Sequence, residues 1–256
     1  MVTGAGSGIG RVLVHRFAGE GAAIAVLDVD GEAAATTARE VRAAGGTAHF
    51  YCADVTARRE VESVATALQA DLGRVDVLVN NAGVASDTRF ADITDQEWDR
   101  DVAVALRGTF LCSQALLPAI VRSGGGAIVN IGSVNGLTFV GQDAYSAAKA
   151  GLLSVTRGGA VQYGANGVRC NLVAPGSIRT PAWDARLARD PGLLERLAAW
   201  YPLGRVGTPD DVAEAVLFLA SDQASWITGT CMTVDGGLLA GNMRFRSDVM
   251  EGSDLT

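Results

Sequence analysis

The amino-acid sequence predicts one α/β domain built on a doubly wound parallel sheet. Three observations predict it. A glycine-rich turn, Gly4 to Gly10, joins a short apolar run to a stretch with helical spacing. Short β-type runs then alternate with amphipathic stretches through short links, as a parallel sheet requires. Residues able to do chemistry fall where the strand runs end, the edge at which such sheets receive ligands.

Composition narrows the class. A chain of 256 residues suits one large α/β domain. Hydrophobic residues make up 48% and charged ones 19%, enough for a sizeable core and too apolar for disorder. No apolar run approaches the ~18 residues of a membrane span, and no basic segment leads into an apolar one as in a secretory signal. The net charge of −7 comes without a basic cluster, which argues against nucleic acid. Cys52, Cys112, Cys170 and Cys231 are scattered and read as buried hydrophobes in a reducing compartment. His15 and His49 share no ligand spacing, so no metal is expected. The expectation is a cytoplasmic globule.

Met1 to Thr3 reads as the first strand and Arg11 to Ala18 as the first helix. Between them, Gly4, Ser7, Gly8, Ile9 and Gly10 make the tight turn and close backbone approach of a dinucleotide fingerprint, with the helix N-terminus receiving the pyrophosphate. Strands of a central sheet average about 5–6 residues. Either the natural start lies upstream, or this strand is short.

Ala22 to Leu27 is the second strand and ends at Asp28. A carboxylate there accepts hydrogen bonds from the adenosine ribose and repels a 2′-phosphate, which selects NAD over NADP. A helix follows from Gly31 to about Ala44, and a strand from Thr47 to Cys52. Thr56 is the expected N-cap of a helix through Leu72, with Glu60 near the capping position. Asp54 is either a helix cap or part of the ligand edge. Val75 to Val79 is the fourth strand, ending in Asn80-Asn81-Ala82-Gly83.

Thr94 opens a long helix through Trp98, Leu106, Phe110 and Leu117, broken at Gly124 to Gly126. Ala127 to Ile131 is the fifth strand, and Ser133 follows at its carboxyl edge, either capping a turn or serving the chemistry. Asp143 begins a helix to about Ala165, and the strand Val168 to Val173 closes at Pro175-Gly176.

The helix from Asp143 carries Tyr145 and Lys149, four residues apart and so on one face. Lys149 is the only lysine beside twenty arginines. Lysine is a compact point charge that exchanges protons when desolvated, whereas arginine stays charged. The ammonium is expected to lower the phenol's pKa from its usual ~10, making Tyr145 a general acid/base.

With these residues placed, the chain resembles the short-chain dehydrogenase/reductase family from Val2 to Leu238. The resemblance rests on the Gly4–Gly10 turn, Asn80-Asn81-Ala82-Gly83, Ser133, Tyr145-x-x-x-Lys149, and Pro175-Gly176-Ser177-Ile178-Arg179-Thr180. Thr208 to Val212 and Val234 to Gly237 add to it. It implies a Rossmann-type domain over 1–240 with a seven-stranded sheet, a substrate-covering segment at 181–205, and a polar tail at 241–256. It implies that Tyr145 exchanges a proton with the substrate oxygen, Lys149 holds the nicotinamide ribose, and Ser133 bonds the same oxygen. Asp54 and Val55 would meet adenine, Asn81, Ala82 and Gly83 the adenosine side, and Pro175, Gly176, Ile178 and Thr180 the nicotinamide end.

The family implies a small alcohol or ketone substrate, no nucleic acid or membrane partner, and often a homotetramer. Asn135, Gln142, Phe139 and Val140 are substrate-pocket candidates by closeness to Ser133 and Tyr145, and Trp183 stands in the covering segment. One position departs from the pattern: Ala105 replaces an Asn that helps to hold a water beside the lysine. The proton relay must then be weakened or anchored by another group, Asn135 being one. The leading activity is an NAD-dependent secondary-alcohol dehydrogenase. Its rivals are a 3-oxoacyl thioester reductase of the same family and a nucleotide-binding regulator without turnover.

Overall fold

The computed structural model describes residues 1–241. Its strands are β1 (Val2–Thr3), β2 (Ile24–Asp28), β3 (Ala48–Cys52), β4 (Val77–Asn80), β5 (Gly126–Ile131), β6 (Val168–Pro175) and β7 (Cys231–Val234). The principal helices are α1 (Gly8–Gly19), α2 (Gly31–Ala43), α3 (Arg58–Leu72), α4 (Asp95–Val102), α5 (Thr109–Arg122), α6 (Asp143–Tyr163), α7 (Asp184–Arg189), α8 (Leu193–Ala198) and α9 (Pro209–Ala220). The seven strands form one parallel sheet in the order β3-β2-β1-β4-β5-β6-β7. Strand order reverses between β1 and β4, and that reversal opens the crevice in which such sheets bind ligands.

Both faces of the sheet are covered, so the central strands are apolar without alternation. β2 runs Ile-Ala-Val-Leu before Asp28, and these four are buried. Successive residues still point to opposite faces. Val26, Val79 and Val129 pack with Leu13, Phe17 and Val216 of α1 and α9. Their neighbours Leu27, Leu78 and Ile128 pack with Leu68, Leu116 and Ile120 of α3 and α5.

The first strand is two residues long, yet it is held on both sides. Val2 pairs with Val26 and with Val79. Met1 extends the pairing: its N donates to Val77 O at 2.7 Å, and its O accepts from Val79 N at 2.8 Å.

Two helix readings need correction. Thr56 does not cap α3, whose N-cap is Ala57 without a side-chain bond. Asp54 and Glu60 hold the entry instead: Asp54 Oδ1 accepts from Thr56 N at 2.8 Å, and Glu60 Oε2 accepts from Asp54 N at 2.8 Å. Thr56 is therefore the turn's donor, and Asp54 organises that turn.

The long helix expected from Thr94 is also not continuous. Thr94 and Glu97 form a reciprocal capping box on α4, but Ala103–Gly108 is a turn of π-helix between α4 and α5. The extra residue of a π turn rotates α5 relative to α4. Gly108 thereby meets Val55, since a Cβ on Gly108 would stand 2.7 Å from Val55 Cγ2. Taken together, Asp95–Arg122 has the length and apolarity of a membrane span, where the sequence reading saw no such run. Leu111, Cys112, Leu116 and Ile120 are instead buried in the domain core.

Positions from 242 on, nearly all of the expected tail, lie outside the described residues. Replacing Thr94 by Ala should cost about 1 kcal/mol of stability through loss of the cap. Replacing Thr56 by Ala should stay within about 0.5 kcal/mol, because the bond it makes is from its backbone. Denaturant unfolding of both variants distinguishes the true cap from the apparent one.

Candidate active site

The site assembles at the carboxyl edge of the sheet. β1 ends in Thr3, which is 1% exposed and whose Oγ1 accepts from Asn81 N and Ala82 N, both at 3.0 Å. Asn81 returns the contact, its Nδ2 donating to Thr3 O and Gly4 O at 3.0 Å. The carboxamide of Asn81 is thus spent on holding the glycine turn against the end of β4.

The turn itself admits almost no side chain. Gly4 and Gly8 have φ of +60° and +53°, in the left-handed region that favours glycine. A Cβ on Gly10 would stand 2.1 Å from Gly4 O. Ser7 precedes α1 in extended conformation and forms no side-chain cap, so the first N–H groups of that helix are not taken by its own cap. Asp28 closes the other side, with Oδ2 accepting from Gly6 N at 2.8 Å and Oδ1 from Asp30 N at 3.0 Å. Each carboxylate oxygen keeps a further lone pair. A backbone cradle, open helix N–H groups and a carboxylate at the next strand's end fit the phosphates and adenosine ribose of a dinucleotide.

Four close approaches bring the remaining positions to this edge. A Cβ on Gly6 would lie 3.0 Å from Asp28 Oδ2, and one on Gly8 3.5 Å from the Thr180 side chain. One on Gly83 would lie 3.6 Å from Lys149 Nζ. Gly136, in the turn after Ser133, is pressed on the backbone of α6, where a Cβ would stand 2.6 Å from Lys149 C. Ile178 and Val55 are buried nearby in their own segments. Pro175 ends β6, and Gly176 N donates to Val234 O at 3.0 Å.

The trio Ser133, Tyr145 and Lys149 does converge. Ser133 follows β5 and hydrogen-bonds the Tyr145 side chain. Its Oγ also donates to Asn135 Oδ1 at 3.0 Å and accepts from Asn135 N at 3.2 Å. Lys149 is 3% exposed; its Nζ donates to Ile131 O at 2.5 Å and lies 5.3 Å from the centre of the Tyr145 ring.

The electrostatics correct one expectation. The phenol's pKa is raised, not lowered. Burial pushes the Tyr145 pKa up, the Ser133 hydrogen bond opposes this, and the Asp101 carboxylate adds to the rise. The ammonium lies 5.3 Å from the ring centre and donates a hydrogen bond to Ile131 O. Burial also lowers Lys149 itself to about 8.

Ala105 is fully buried in the π turn, and its carbonyl accepts from Thr109 Oγ1 at 3.0 Å. Asn135 is not a free substitute. Its Oδ1 takes the Ser133 hydroxyl, and its Nδ2 donates to Gly141 O at 2.9 Å and Ser146 Oγ at 3.3 Å. Gln142 begins α6 with φ of +61°, the only non-glycine positive φ among the described residues, and is half-buried. Phe139 and Val140 are exposed beside it, and Trp183 stacks under the Arg186 guanidinium at 5.8 Å. A cleft of about 410 Å³ opens past β6 and β7, lined by Gly176, Ile178, Tyr201, Leu203, Arg205 and Asp235 among others; the trio does not line it. Asp101, which sequence reading missed, is a buried carboxylate on α4 that accepts from Ser86 N and Arg100. It stands in a charged run, Asp95 to Asp101, so nothing in the sequence sets it apart.

Comparison with known proteins covers nearly the whole chain. The family described as enoyl-(acyl carrier protein) reductase matches residues 4–239. An uncharacterized oxidoreductase of Schizosaccharomyces pombe is 45% identical over 97% of this chain and 93% of its own length. The (3R)-3-hydroxyacyl-CoA dehydrogenase of Mus musculus is 42% identical over 93% of this chain and 95% of its own. An oxidoreductase of the short chain dehydrogenase/reductase family from Burkholderia thailandensis superposes with a TM-score of 0.90 at 44% identity, covering 98% of this chain and 96% of that one.

Burying an ammonium opposes stability, and the direction is testable. With its pKa depressed to about 8 in the fold, Lys149 binds fewer protons there than when unfolded above that pH. Stability should therefore rise with pH between about 8 and 10.5 as the penalty disappears. Lys149→Met, which removes the charge, should be more stable than the unmodified protein at pH 7, with the gap closing toward pH 10. Thermal unfolding across that range measures it; a constant deficit in the Met variant would contradict it.

Proposed function

Because the chain belongs to the short-chain dehydrogenase/reductase family, we propose that it is an NAD-dependent oxidoreductase interconverting a secondary alcohol and a ketone. The observation that carries this reading is the convergence of Ser133, Tyr145 and the buried Lys149 beside Gly83. Gly4, Ser7, Gly8, Ile9 and Gly10 would hold the pyrophosphate, Asp28 the adenosine ribose, and Asp54 and Val55 the adenine edge. Asn81, Ala82 and Gly83 would flank the adenosine side, and Pro175, Gly176, Ile178 and Thr180 the nicotinamide end.

A bound nicotinamide dinucleotide supplies hydride exchange with the substrate carbon. The chain's own work is the proton. Tyr145 gives its phenolic proton to the ketone oxygen in reduction and takes the hydroxyl proton in oxidation. Ser133 turns its hydroxyl from Asn135 to that oxygen and stabilises charge there. Lys149, fixed by Ile131 O, offers its remaining protons to a ribose hydroxyl. Asn135, Gln142 and Trp183 would meet the rest of the substrate. Assembly as a homotetramer is part of this reading, and light scattering of the purified protein tests it.

One observation favours a second substrate class. The 42% identity to a (3R)-3-hydroxyacyl-CoA dehydrogenase points to a 3-hydroxyacyl thioester. Docking an acyl carrier would call for a basic patch, against a net charge of −7. A cofactor-reduction screen with simple alcohols and 3-hydroxyacyl-CoA esters separates the two classes.

NAD should bind at least about tenfold more tightly than NADP, about 1.4 kcal/mol. Asp28→Ser should narrow the gap by removing repulsion of the 2′-phosphate. Equal or better binding of NADP by the unmodified protein would remove Asp28 as the determinant. Tyr145→Phe keeps the ring but deletes the transferable proton, so turnover should fall at least ~10²-fold with little change in melting temperature or NADH binding. Normal turnover of that variant would place the proton donor elsewhere.

A further inference from the structure

We propose that Tyr201 is a positioning residue for the nicotinamide end of the cofactor site. Its phenol oxygen holds the turn Gly176 to Thr180 and joins it to the end of the covering segment. This rests on the reading of a bound nicotinamide dinucleotide. Tyr201 is 6% exposed and is the one buried tyrosine of the four in the chain. It follows α8, and its N donates to Ala198 O at 3.1 Å, so its place depends on that of the covering segment. Its Oη accepts from Ser177 N at 2.8 Å, twenty-four residues earlier in the chain.

The ring is fitted against glycines. A Cβ on Gly176 would stand 3.0 Å from Tyr201 Cε1, and one on Gly236 3.3 Å from its Cδ1. Beside it, a Cβ on Gly237 would stand 2.9 Å from the Pro202 ring. Asp235 fixes that part of the chain, accepting from Gly237 N at 3.0 Å and from Leu239 N at 2.9 Å. A phenylalanine would fill the same space as Tyr201. What the hydroxyl adds is an acceptor for a backbone N–H that packing has partly removed from water. A donor left unpaired there costs more than its bond contributes.

The rest of the turn is laced to other backbone. Gly176 N donates to Val234 O at 3.0 Å, Gly207 N to Ser177 O at 3.0 Å, and Arg179 N to Gly207 O at 2.8 Å. Ile178 is thereby paired with Gly207. Among the described residues, the bond to Tyr201 is the one that the turn's backbone makes to a side chain outside it. The turn ends at Thr180 opposite the glycine-rich turn, where a Cβ on Gly8 would stand 3.5 Å from the Thr180 side chain. A shift at Ser177 is therefore passed to Ile178 and Thr180, both assigned to the nicotinamide end. The adenosine end is held by bonds of its own, from Gly6 N to Asp28 and from Asn81 to Thr3 O. Loss of the Tyr201 hydroxyl should accordingly be felt at one end of the dinucleotide and not at the other.

The test compares binding of NADH with binding of ADP-ribose, which lacks the nicotinamide, by calorimetric titration of the full-length protein and of Tyr201→Phe. NADH should bind the variant about tenfold more weakly. ADP-ribose should bind both proteins within about twofold. Equal loss for the two ligands would make Tyr201 a general structural residue and overturn the proposal, and so would no loss for either. Should Tyr201→Phe not fold, amide hydrogen exchange of the unmodified protein decides. NADH should protect the backbone of 176–180 and of 199–204 together, and ADP-ribose should protect neither. Protection of 176–180 alone, of neither segment, or equally by ADP-ribose would overturn the coupling. An unmodified protein that binds neither ligand would instead overturn the dinucleotide reading itself.

Discussion

The bond from Lys149 Nζ to Ile131 O ties α6 to the end of the central sheet, and the surrounding structure is built to make it possible. An ammonium that has lost its water needs acceptors at once, and a carbonyl at the last residue of β5 is one. That bond links α6, which packs along β6, to the end of β5. Ser133, two residues past Ile131, then meets a phenol one turn before the lysine. The same burial that makes the bond necessary moves both pKa values, lowering Lys149 and raising Tyr145. Proximity of the two side chains is therefore separate from mutual ionisation. In this site desolvation is the larger effect on each.

Backbone, more than side chain, makes the rest of the edge. Gly10 against Gly4 O, Gly136 against Lys149, and Gly83 beside the ammonium are places where a methyl group would collide or fill the space at the site. Small residues here let strand ends, turns and a helix approach to near contact, and they leave N–H groups facing the crevice. Polar side chains then lock the approach from beneath. Thr3 and Asn81 bind one another across β1 and β4. Asn80 donates to Asn130 at 2.9 Å, and Asn130 to Thr156 at 2.9 Å, so that β4, β5 and α6 share one buried amide chain. A misplacement of any of these elements would leave a buried donor unpaired, which costs more than the bond contributes.

The π turn joins the two ends of the site. Through Gly108 it packs on Val55, at the expected adenine edge, and Leu106 packs where Gly151 leaves room on α6. Ala105 lies between them with its carbonyl already taken by Thr109. Neither a side chain nor a free carbonyl at this position is offered to the lysine. One turn earlier, Asp101 is buried on α4 and bound to Ser86 N and Arg100.

Most of the architecture was legible in the sequence because it depends on local rules. Apolar runs of strand length, glycine at left-handed turns, and alternation of runs through short links specify a parallel sheet before any contact is known. That Tyr145 and Lys149 share a helix face was legible too, from their spacing of four. Tertiary structure alone decided the rest. Thr56 and Asp54 are two residues apart, and which of them organises the entry to α3 depends on Glu60 reaching back. The helix from Thr94 has the composition of a continuous one, and its π turn comes from packing against Val55 and α6. The direction of the Tyr145 shift is set by burial. Sequence spacing conveys which residues share a helix face; desolvation and charges brought in from other elements exist only once the elements have packed.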